Sequence, residues 1–420
     1  MKSFYFTVLI FSCICLSVWE TSACTSAIIT GKITADGRPL LWKHRDTDNE
    51  NNCMAFVKGA KYDFLALLSS SDKDGIAWMG SNSAGFSIMN TASYNLKDDT
   101  IIEMDREGAL MYKALSECRN LADFEAFLDH YPRPMRVEAN FGVIDAEGGA
   151  AYYEVNNTRW TKVDANDPKI APHGYLIYTN FSYTGRFNEG MGYIRHQTAT
   201  EIISRQAAMG NITPHWIFNH LSRSYYHSLT GVDLLDKDFS PEKATGWVWD
   251  QDFIPRKITS ASLVIQGVKP GENPEMTTVW TVLGYPPVGM AVPMWVKAGK
   301  RQPDILLRND TSRRATICDY ALALKRRIFP LKRGNGSKYV YFNRIYNSRG
   351  TGYMQQLAPA EEKIFQLYRE AIEQWRQQGL NLQQLDLLNA TMETMAKAAY
   401  DAVIDEPDAV RVIGKDNNAK

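Results

Sequence analysis

Cys24 stands directly behind the small residues Thr21-Ser22-Ala23, at the end of an apolar N-terminal segment. Lys2 and the apolar run over residues 4 to 19 are typical of a secretory signal, with cleavage expected after Ala23. Cleavage there would give Cys24 a free α-amino group, whose reference pKa of about 7.7–8.0 suits a base near neutral pH. A thiol and an amine on one residue form the nucleophile and base pair of N-terminal Thr and Cys enzymes.

Two other interpretations of Cys24 remain open. A lipoprotein signal also ends in cysteine, but it normally has Leu or a similar apolar residue three positions earlier, where this chain has Thr21. In that case a lipid on Cys24 would tether the protein to a membrane. Cys24 could also be a structural thiol at a signal junction.

A charged cluster follows in the stretch DGRPLLWKHRDTDN, residues 36 to 49. Asp36-Gly37 predicts a hairpin turn between a strand starting at Thr25 and a strand from Leu40 to His44. The hairpin would return the charged end of the second strand to Cys24, where a cation favours the thiolate. A solvated strand end is the alternative reading. The charged residues are Lys43, His44, Arg45, Asp46 and Asp48.

The stretch CTSAIITGKITADGRPLLWKHRD, residues 24 to 46, resembles the N-terminal hairpin of the cysteine N-terminal-nucleophile (Ntn) hydrolases. This group contains choloylglycine hydrolases, penicillin V acylases, Cys-type dipeptidases and acyl-CoA:6-aminopenicillanate (isopenicillin-N) acyltransferases. The resemblance implies that Cys24 is the nucleophile and that Asp46 holds its α-amino group, with Asp48 as the weaker alternative. Lys43 stands where choloylglycine hydrolases have an arginine, so either Lys43 or Arg45 could supply the positive charge.

The resemblance continues to about residue 297 and favours the acyltransferase-like branch. SNSAGFSIMNTAS (81 to 93) implies that Asn90 lies beside the oxyanion site. YTNFSYTGRFNEGMGYIRHQTA (178 to 199) implies that Asn180 donates its side-chain amide to the oxyanion and that Arg195 is a buried arginine bracing the nucleophile. TTVWTVLGYPPVGMAVPMWV is similar to the late strands of that branch. Without the resemblance, Asn90 would be interpreted as a turn residue, Asn180 as a loop residue and Arg195 as a surface cation.

The pattern of short strands, then helices, then strands predicts an α+β protein. Helix signals cover about 106 to 130, 189 to 208, 313 to 329, 359 to 378 and 382 to 404. Pro359 fits the first turn of the helix predicted over 359 to 378. The resemblance implies a four-layer αββα sandwich of two stacked antiparallel sheets between helices, with Cys24 at a strand end between the sheets. We expect a signal peptide (1–23), a catalytic domain (24–312) and a C-terminal helical extension packed on it (313–420).

Lys+Arg and Asp+Glu both number 47, so no charge excess points to nucleic acid. The cysteines that would remain after signal cleavage show no metal-site spacing, and one disulfide among Cys53, Cys118 and Cys318 is compatible with export. No later segment is long and apolar enough to predict a membrane span. We therefore expect an exported, periplasmic or extracellular protein without metal or cofactor, which contacts a membrane only if Cys24 is lipidated.

Together these features predict cleavage of a linear amide C–N bond of a small acyl amide through an S-acyl intermediate, by hydrolysis or by acyl transfer to a second amine. The alternatives within the group are a bile-salt or penicillin-type amidase and a dipeptidase. The alternative outside enzymes is a lipid-anchored binding protein with an acylated Cys24. Acyl preference and oligomeric state stay open.

Overall fold

The structure is a computed structural model that describes residues 23–239 and 245–405. The predicted signal peptide lies outside the described residues, except for Ala23. The described strands are β1 (Ala23–Ile29), β2 (Leu40–Asp46), β3 (Asn52–Val57), β4 (Phe64–Ser69), β5 (Met79–Asn82), β6 (Ser87–Ala92), β7 (Ala139–Ile144), β8 (Ala150–Val155), β9 (Trp160–Asp164), β10 (Tyr175–Tyr178), β11 (Tyr226–His227), β12 (Val232–Asp233), β13 (Trp247–Trp249), β14 (Thr259–Gln266), β15 (Thr278–Leu283), β16 (Val292–Met294) and β17 (Tyr339–Tyr341). The described α-helices are α1 (Glu107–Glu117), α2 (Leu121–His130), α3 (Tyr193–Ala207), α4 (Pro214–Ile217), α5 (Thr316–Ile328), α6 (Tyr353–Gln378) and α7 (Leu382–Ile404).

Two large antiparallel sheets carry the fold. Within the described ranges, one sheet has six strands in the order β10-β1-β2-β14-β15-β16, and the other has seven in the order β3-β4-β5-β6-β7-β8-β9. They stack face to face, with β1 and β2 against β6 and β7. Ser26 Oγ lies 2.9 Å from Tyr152 Oη across this interface, and Tyr152 stacks on Tyr178 with ring centroids 4.1 Å apart.

Helices cover the outer face of each sheet. On the seven-stranded sheet, Phe124 of α2 packs among Phe86, Phe141 and Tyr153 in a separate apolar core. On the six-stranded sheet, Phe365 of α6 stacks on the Trp280 ring of β15 at 4.1 Å. The order of layers is therefore helix, sheet, sheet, helix, which confirms the predicted α+β four-layer sandwich.

The N-terminal hairpin forms as predicted. β1 pairs with β2 in a register that sets Ala23 opposite Asp46 and Cys24 opposite Arg45. Gly37 in the connecting loop has φ of +75°, a left-handed conformation that glycine adopts at little cost. Cys24 lies near the start of β1, so the hairpin returns the charged end of β2 to it.

Two of the predicted helices differ from those in the structure. The segment 106 to 130 forms two helices, because the Asn120 side chain accepts the Asp123 backbone N–H at 3.0 Å and starts α2 anew. Helix α6 begins at Tyr353, so Pro359 lies inside it rather than in its first turn. The earlier start is supported by Gln355, whose Oε1 accepts the Gly352 backbone N–H at 3.1 Å.

The C-terminal helices α5, α6 and α7 share one buried apolar core with the six-stranded sheet. Glu361 of α6 forms a buried ion pair with Arg223 at 2.6 Å. The predicted boundary at 312/313 stays a prediction. In the part of the chain that the structure describes, none of the helices combines the length and apolar character needed to cross a bilayer.

Candidate active site

The main chain of Cys24 is held on both sides by two buried side chains. Its backbone N–H donates to Asn180 Oδ1 at 3.1 Å, and its carbonyl accepts from Arg195 Nη1 at 2.8 Å. Arg195 also donates to Asn180 Oδ1 at 2.8 Å and to Thr25 Oγ1 at 2.6 Å. The predicted nucleophile, asparagine and arginine are therefore brought together in one hydrogen-bonded group.

The fold explains why Asn180 and Arg195 reach Cys24. β10 pairs with β1, with Tyr178 opposite Ser26, so Asn180 just beyond β10 comes beside the start of β1. Arg195 lies in the first turn of α3, which follows Gly192. Gly192 has φ of +85°, and a Cβ there would lie 2.4 Å from Arg195 Nη2. A larger residue at this position would therefore displace the guanidinium.

The thiol of Cys24 faces the opposite side of the hairpin from Arg195. Side chains alternate along a strand, so Cys24 and its partner Arg45 share one face with Ser26 and its partner Lys43. Thr25, which contacts Arg195, points to the other face. Cys24 is buried, yet it lines a cavity of about 570 Å³ together with Lys43, Arg45 and Asn90.

Lys43 is a fully buried cation beside this cavity. Its Nζ donates to the Trp78 carbonyl at 2.8 Å and to Asn90 Oδ1 at 2.7 Å. Burial lowers the pKa of Lys43 to about 8, while Cys24 and Glu107 oppose this decrease. Lys43 is therefore mostly charged at pH 7 and becomes neutral above about pH 8, which is within the pH range of enzyme assays.

Arg45 is the second cation on the thiol side. It donates to Asn52 Oδ1 and, at 3.1 Å, to Ser69 Oγ, and its guanidinium lies 4.9 Å from the centre of the Trp78 ring. Burial lowers its pKa to about 10, and the thiol of Cys24 opposes this change. Both candidate cations thus face Cys24, and Arg45 holds its charge to higher pH.

The predicted oxyanion residues Asn90 and Asn180 use their amide groups differently. Asn90 Oδ1 is occupied by Lys43, and within the described residues its Nδ2 has no hydrogen-bond partner although it lines the cavity. Asn180 directs Oδ1 to the Cys24 nitrogen and donates Nδ2 to the Ala92 carbonyl at 2.9 Å. The oxyanion role of Asn180 stays a prediction; the contact shown is with the Cys24 main chain.

Asp46 is fully buried beside the start of β1. Its Oδ2 accepts from Arg256 Nη2 at 2.6 Å, and its Oδ1 accepts from Thr259 Oγ1 at 2.6 Å. Asp48 is exposed. Of the two predicted aspartates, Asp46 therefore has the fixed position that holding an amine requires.

Sequence reasoning missed Arg256 and the acidic side of the cavity. Arg256 comes just before β14, and it reaches Asp46 only because β14 pairs with β2. That pairing has no local sequence signal. The cavity is also lined by the carboxylates of Asp72, Asp105, Glu107 and Glu138.

Cys53, Cys118 and Cys318 are buried free thiols, so the disulfide considered for them is not formed. Burial raises the pKa of both Cys118 and Cys318 to about 12, which leaves them as inert thiols. Neither lines the cavity of Cys24.

Comparison with known proteins gave matches among solved structures. Neither a protein-family model nor a curated protein matches the sequence. An N-acylethanolamine-hydrolyzing acid amidase ortholog from Caenorhabditis elegans is 12% identical with a TM-score of 0.34, over 58% of this chain and 92% of that one. A mutant conjugated bile acid hydrolase from Clostridium perfringens is 10% identical with a TM-score of 0.38, over 62% and 89%.

Penicillin V acylase from Agrobacterium tumefaciens is 12% identical with a TM-score of 0.38, over 65% of this chain and 86% of that one. Penicillin V acylases belong to the group that the N-terminal hairpin resembles.

Proposed function

We propose that this protein is an exported cysteine Ntn amidase that cleaves the C–N bond of linear, non-peptide amides with Cys24 as its nucleophile. The observation that carries the proposal is the placement of Cys24. Its nitrogen is held by Asn180 and its carbonyl by Arg195, while its thiol lines a cavity beside Lys43 and Arg45. A structural thiol needs neither the main-chain anchors nor the cations.

Signal cleavage after Ala23 would complete the site. The nitrogen that donates to Asn180 Oδ1 is a peptide N–H while Ala23 is attached, and cleavage converts the same atom to an α-amine. Asp46 lies opposite Ala23 in the β1–β2 register, so the new amine would lie close to a buried carboxylate. Cleavage would therefore create the base at a position that the fold already holds.

The proposed reaction has two steps. The thiolate attacks the amide carbonyl, a C–S bond forms, and negative charge develops on the carbonyl oxygen. Nδ2 of Asn90, which lines the same cavity, would donate to that oxygen, and loss of one such donor typically costs about 3 kcal/mol. The α-ammonium protonates the leaving amine as the C–N bond breaks, which leaves a thioester on Cys24.

The second step returns the enzyme to its starting state. A water molecule attacks the thioester, the α-amine takes its proton, and the acid leaves as the C–S bond breaks. An amine in place of water would give acyl transfer, which the acyltransferase-like sequence features favour. The same groups serve both reactions, so the acceptor that reaches the cavity decides between them.

The test is turnover of a panel of simple acyl amides by mature wild-type protein, Cys24→Ser and Cys24→Ala. We expect Cys24→Ala to abolish both amine release and formation of an acyl-enzyme. Product analysis with and without an added amine separates hydrolysis from acyl transfer. Unchanged turnover by Cys24→Ala would refute the proposed function.

A further inference from the structure

The wall of the Cys24 cavity carries two cations at the nucleophile and four carboxylates elsewhere, together with Lys97 and neutral residues. Lys43 and Arg45 lie on the hairpin that carries Cys24. The acids come from other elements: Asp72 follows β4, Asp105 and Glu107 lie at the start of α1, and Glu138 precedes β7. The acidic wall is therefore assembled by the fold from separate segments.

Only part of this acidic wall is satisfied by the protein itself. Asp72 Oδ2 accepts from the Trp78 indole and from the Ser69 backbone, both at 2.7 Å. Glu138 Oε1 accepts the backbone N–H groups of Leu96 and Lys97 at 2.7 and 2.9 Å. These two carboxylates have clear structural roles in the neighbouring loops.

Asp105 and Glu107 have fewer partners in the protein than Asp72 and Glu138. Within residues 23–239 and 245–405, neither forms an ion pair, and the hydrogen bond to Glu107 comes from the Glu138 backbone at 3.1 Å. Glu107 is 93% buried as a residue and still faces the cavity. Burial raises the pKa of both carboxyls, to about 7 for Glu107, with Asp105 and Glu138 adding to the effect on Glu107.

Asn90 supplies an independent indication that a ligand occupies this cavity. Its residue is 6% exposed, its Oδ1 is fixed by Lys43, and among the described residues its Nδ2 has no partner while lining the same space. This amide donor opens to the cavity, where the carbonyl of a bound molecule could accept from it. The cavity therefore offers a donor for a carbonyl and, on another wall, unpaired carboxylates for a cation.

Resting on the proposed function, we propose that the substrate is a linear amide that carries a primary ammonium group, bound by Asp105 and Glu107 while its scissile carbonyl faces Cys24. Arg45 and Lys43 act on these carboxylates without a direct ion pair among the described residues, and the substrate ammonium would supply that direct partner. A neutral apolar chain would leave them unpaired beside it, which is unfavourable in a partly dry site. An anionic chain would be repelled.

Matched substrates test this inference. On the acyl side, the amides of 7-amino-4-methylcoumarin with 6-aminohexanoic acid, heptanoic acid and adipic acid differ mainly in terminal charge. On the amine side, heptanoyl-1,4-diaminobutane and heptanoyl-pentylamine form the corresponding pair. We expect kcat/KM for the ammonium member of at least one series to exceed that of its neutral isostere by roughly tenfold or more, and to fall with added salt.

Variants assign the preference to the acidic wall. Asp105→Asn should lower the ammonium-to-neutral ratio severalfold, and Asn tolerates the φ of +77° found at this position. Glu107→Gln should lower it further. Glu103→Gln, at an exposed acid outside the cavity, is the matched control and should leave the ratio unchanged.

Binding separates this inference from the proposed function. The same compounds are titrated calorimetrically into Cys24→Ala protein, which needs no turnover. Tighter binding of the ammonium members supports the inference even if no amide is cleaved. Cleavage that depends on Cys24 but shows no ammonium preference in either series, together with equal binding, would overturn the inference and leave the proposed function standing.

Discussion

Replacing Lys43 by Met should raise stability and lower activity at the same time. The pKa of Lys43 falls from 10.5 to about 8 on burial, so the charged form is disfavoured by about 3 kcal/mol in the folded protein. Met removes this penalty but leaves the Trp78 carbonyl and Asn90 Oδ1 without their donor, at a cost of about 1 kcal/mol each. We expect a net gain of about 1 kcal/mol in the free energy of unfolding at pH 7.

The pH dependence of the free energy of unfolding shows whether the buried charge of Lys43 destabilises the folded protein. Below pH 8, Lys43 is protonated in both folded and unfolded protein, and the full penalty is present. Between about pH 8 and 10.5 the folded protein has released this proton while the unfolded chain retains it, so stability rises with pH. Lys43→Met should lack this rise, so its advantage should vanish near about pH 9, and above that pH the wild-type protein should be the more stable of the two.

Activity should move in the opposite direction. Loss of the Lys43 cation removes positive charge from beside the attacking sulfur of Cys24, and we expect kcat/KM at pH 7 to fall roughly tenfold or more. Lys43→Arg keeps the charge and should extend activity to higher pH. The assays are urea unfolding followed by tryptophan fluorescence, pH profiles of kcat/KM, and rates of Cys24 alkylation by iodoacetamide. A Lys43→Met variant with unchanged kcat/KM and alkylation rate would refute this reasoning.

Three further substitutions test the rest of the site. Asn180→Ala removes the acceptor of the Cys24 nitrogen and should lower kcat about a hundredfold, measured by single-turnover amine release. Arg256→Gln removes the cation that pairs with the buried carboxylate of Asp46 and should cost about 3–5 kcal/mol in urea unfolding. Glu361→Gln breaks the buried pair that fixes α6 and should cost about 3 kcal/mol with little effect on KM.

Controls for these variants lie on the surface of the same chain. Arg301→Gln breaks an exposed pair and should cost less than about 1 kcal/mol, and Glu370→Gln is the corresponding change on the exposed face of α6. If Arg256→Gln or Glu361→Gln costs no more than its control, the buried pairs do not hold the structure as described. An Asn180→Ala variant with wild-type kcat would contradict the anchoring of Cys24.

Local features of the fold were predictable from the sequence. The Asp36-Gly37 turn and the strands around it fix the β1–β2 hairpin, so the approach of Lys43 and Asp46 to Cys24 follows from neighbouring residues. Helix α7 begins and ends where its pattern predicts. The start of α6 was missed because a proline is more favourable in a first turn, while tertiary packing holds Pro359 inside this helix.

Features that depend on distant pairing were not predictable. Arg256 meets Asp46 through the pairing of β14 with β2, which joins segments more than 200 residues apart in the chain. Glu107 looks like an acid stabilising the start of a helix, and its place in the cavity depends on how α1 packs on the seven-stranded sheet. The amide orientation of Asn180 follows from its hydrogen bonds to Cys24 and Ala92, which no motif encodes.

Mass spectrometry of the exported protein tests whether Cys24 is an N-terminal residue that becomes acylated during turnover. The purified chain is incubated briefly with an acyl amide, quenched in acid and digested with pepsin at low pH, where the protonated α-amine cannot take the acyl group from the thiol. We expect an N-terminal peptide that begins at Cys24 with a free α-amine and carries the acyl group on its thiol, released by hydroxylamine. An N-terminus at another residue in active protein, a lipid on Cys24, or turnover without any acyl-Cys24 would contradict it.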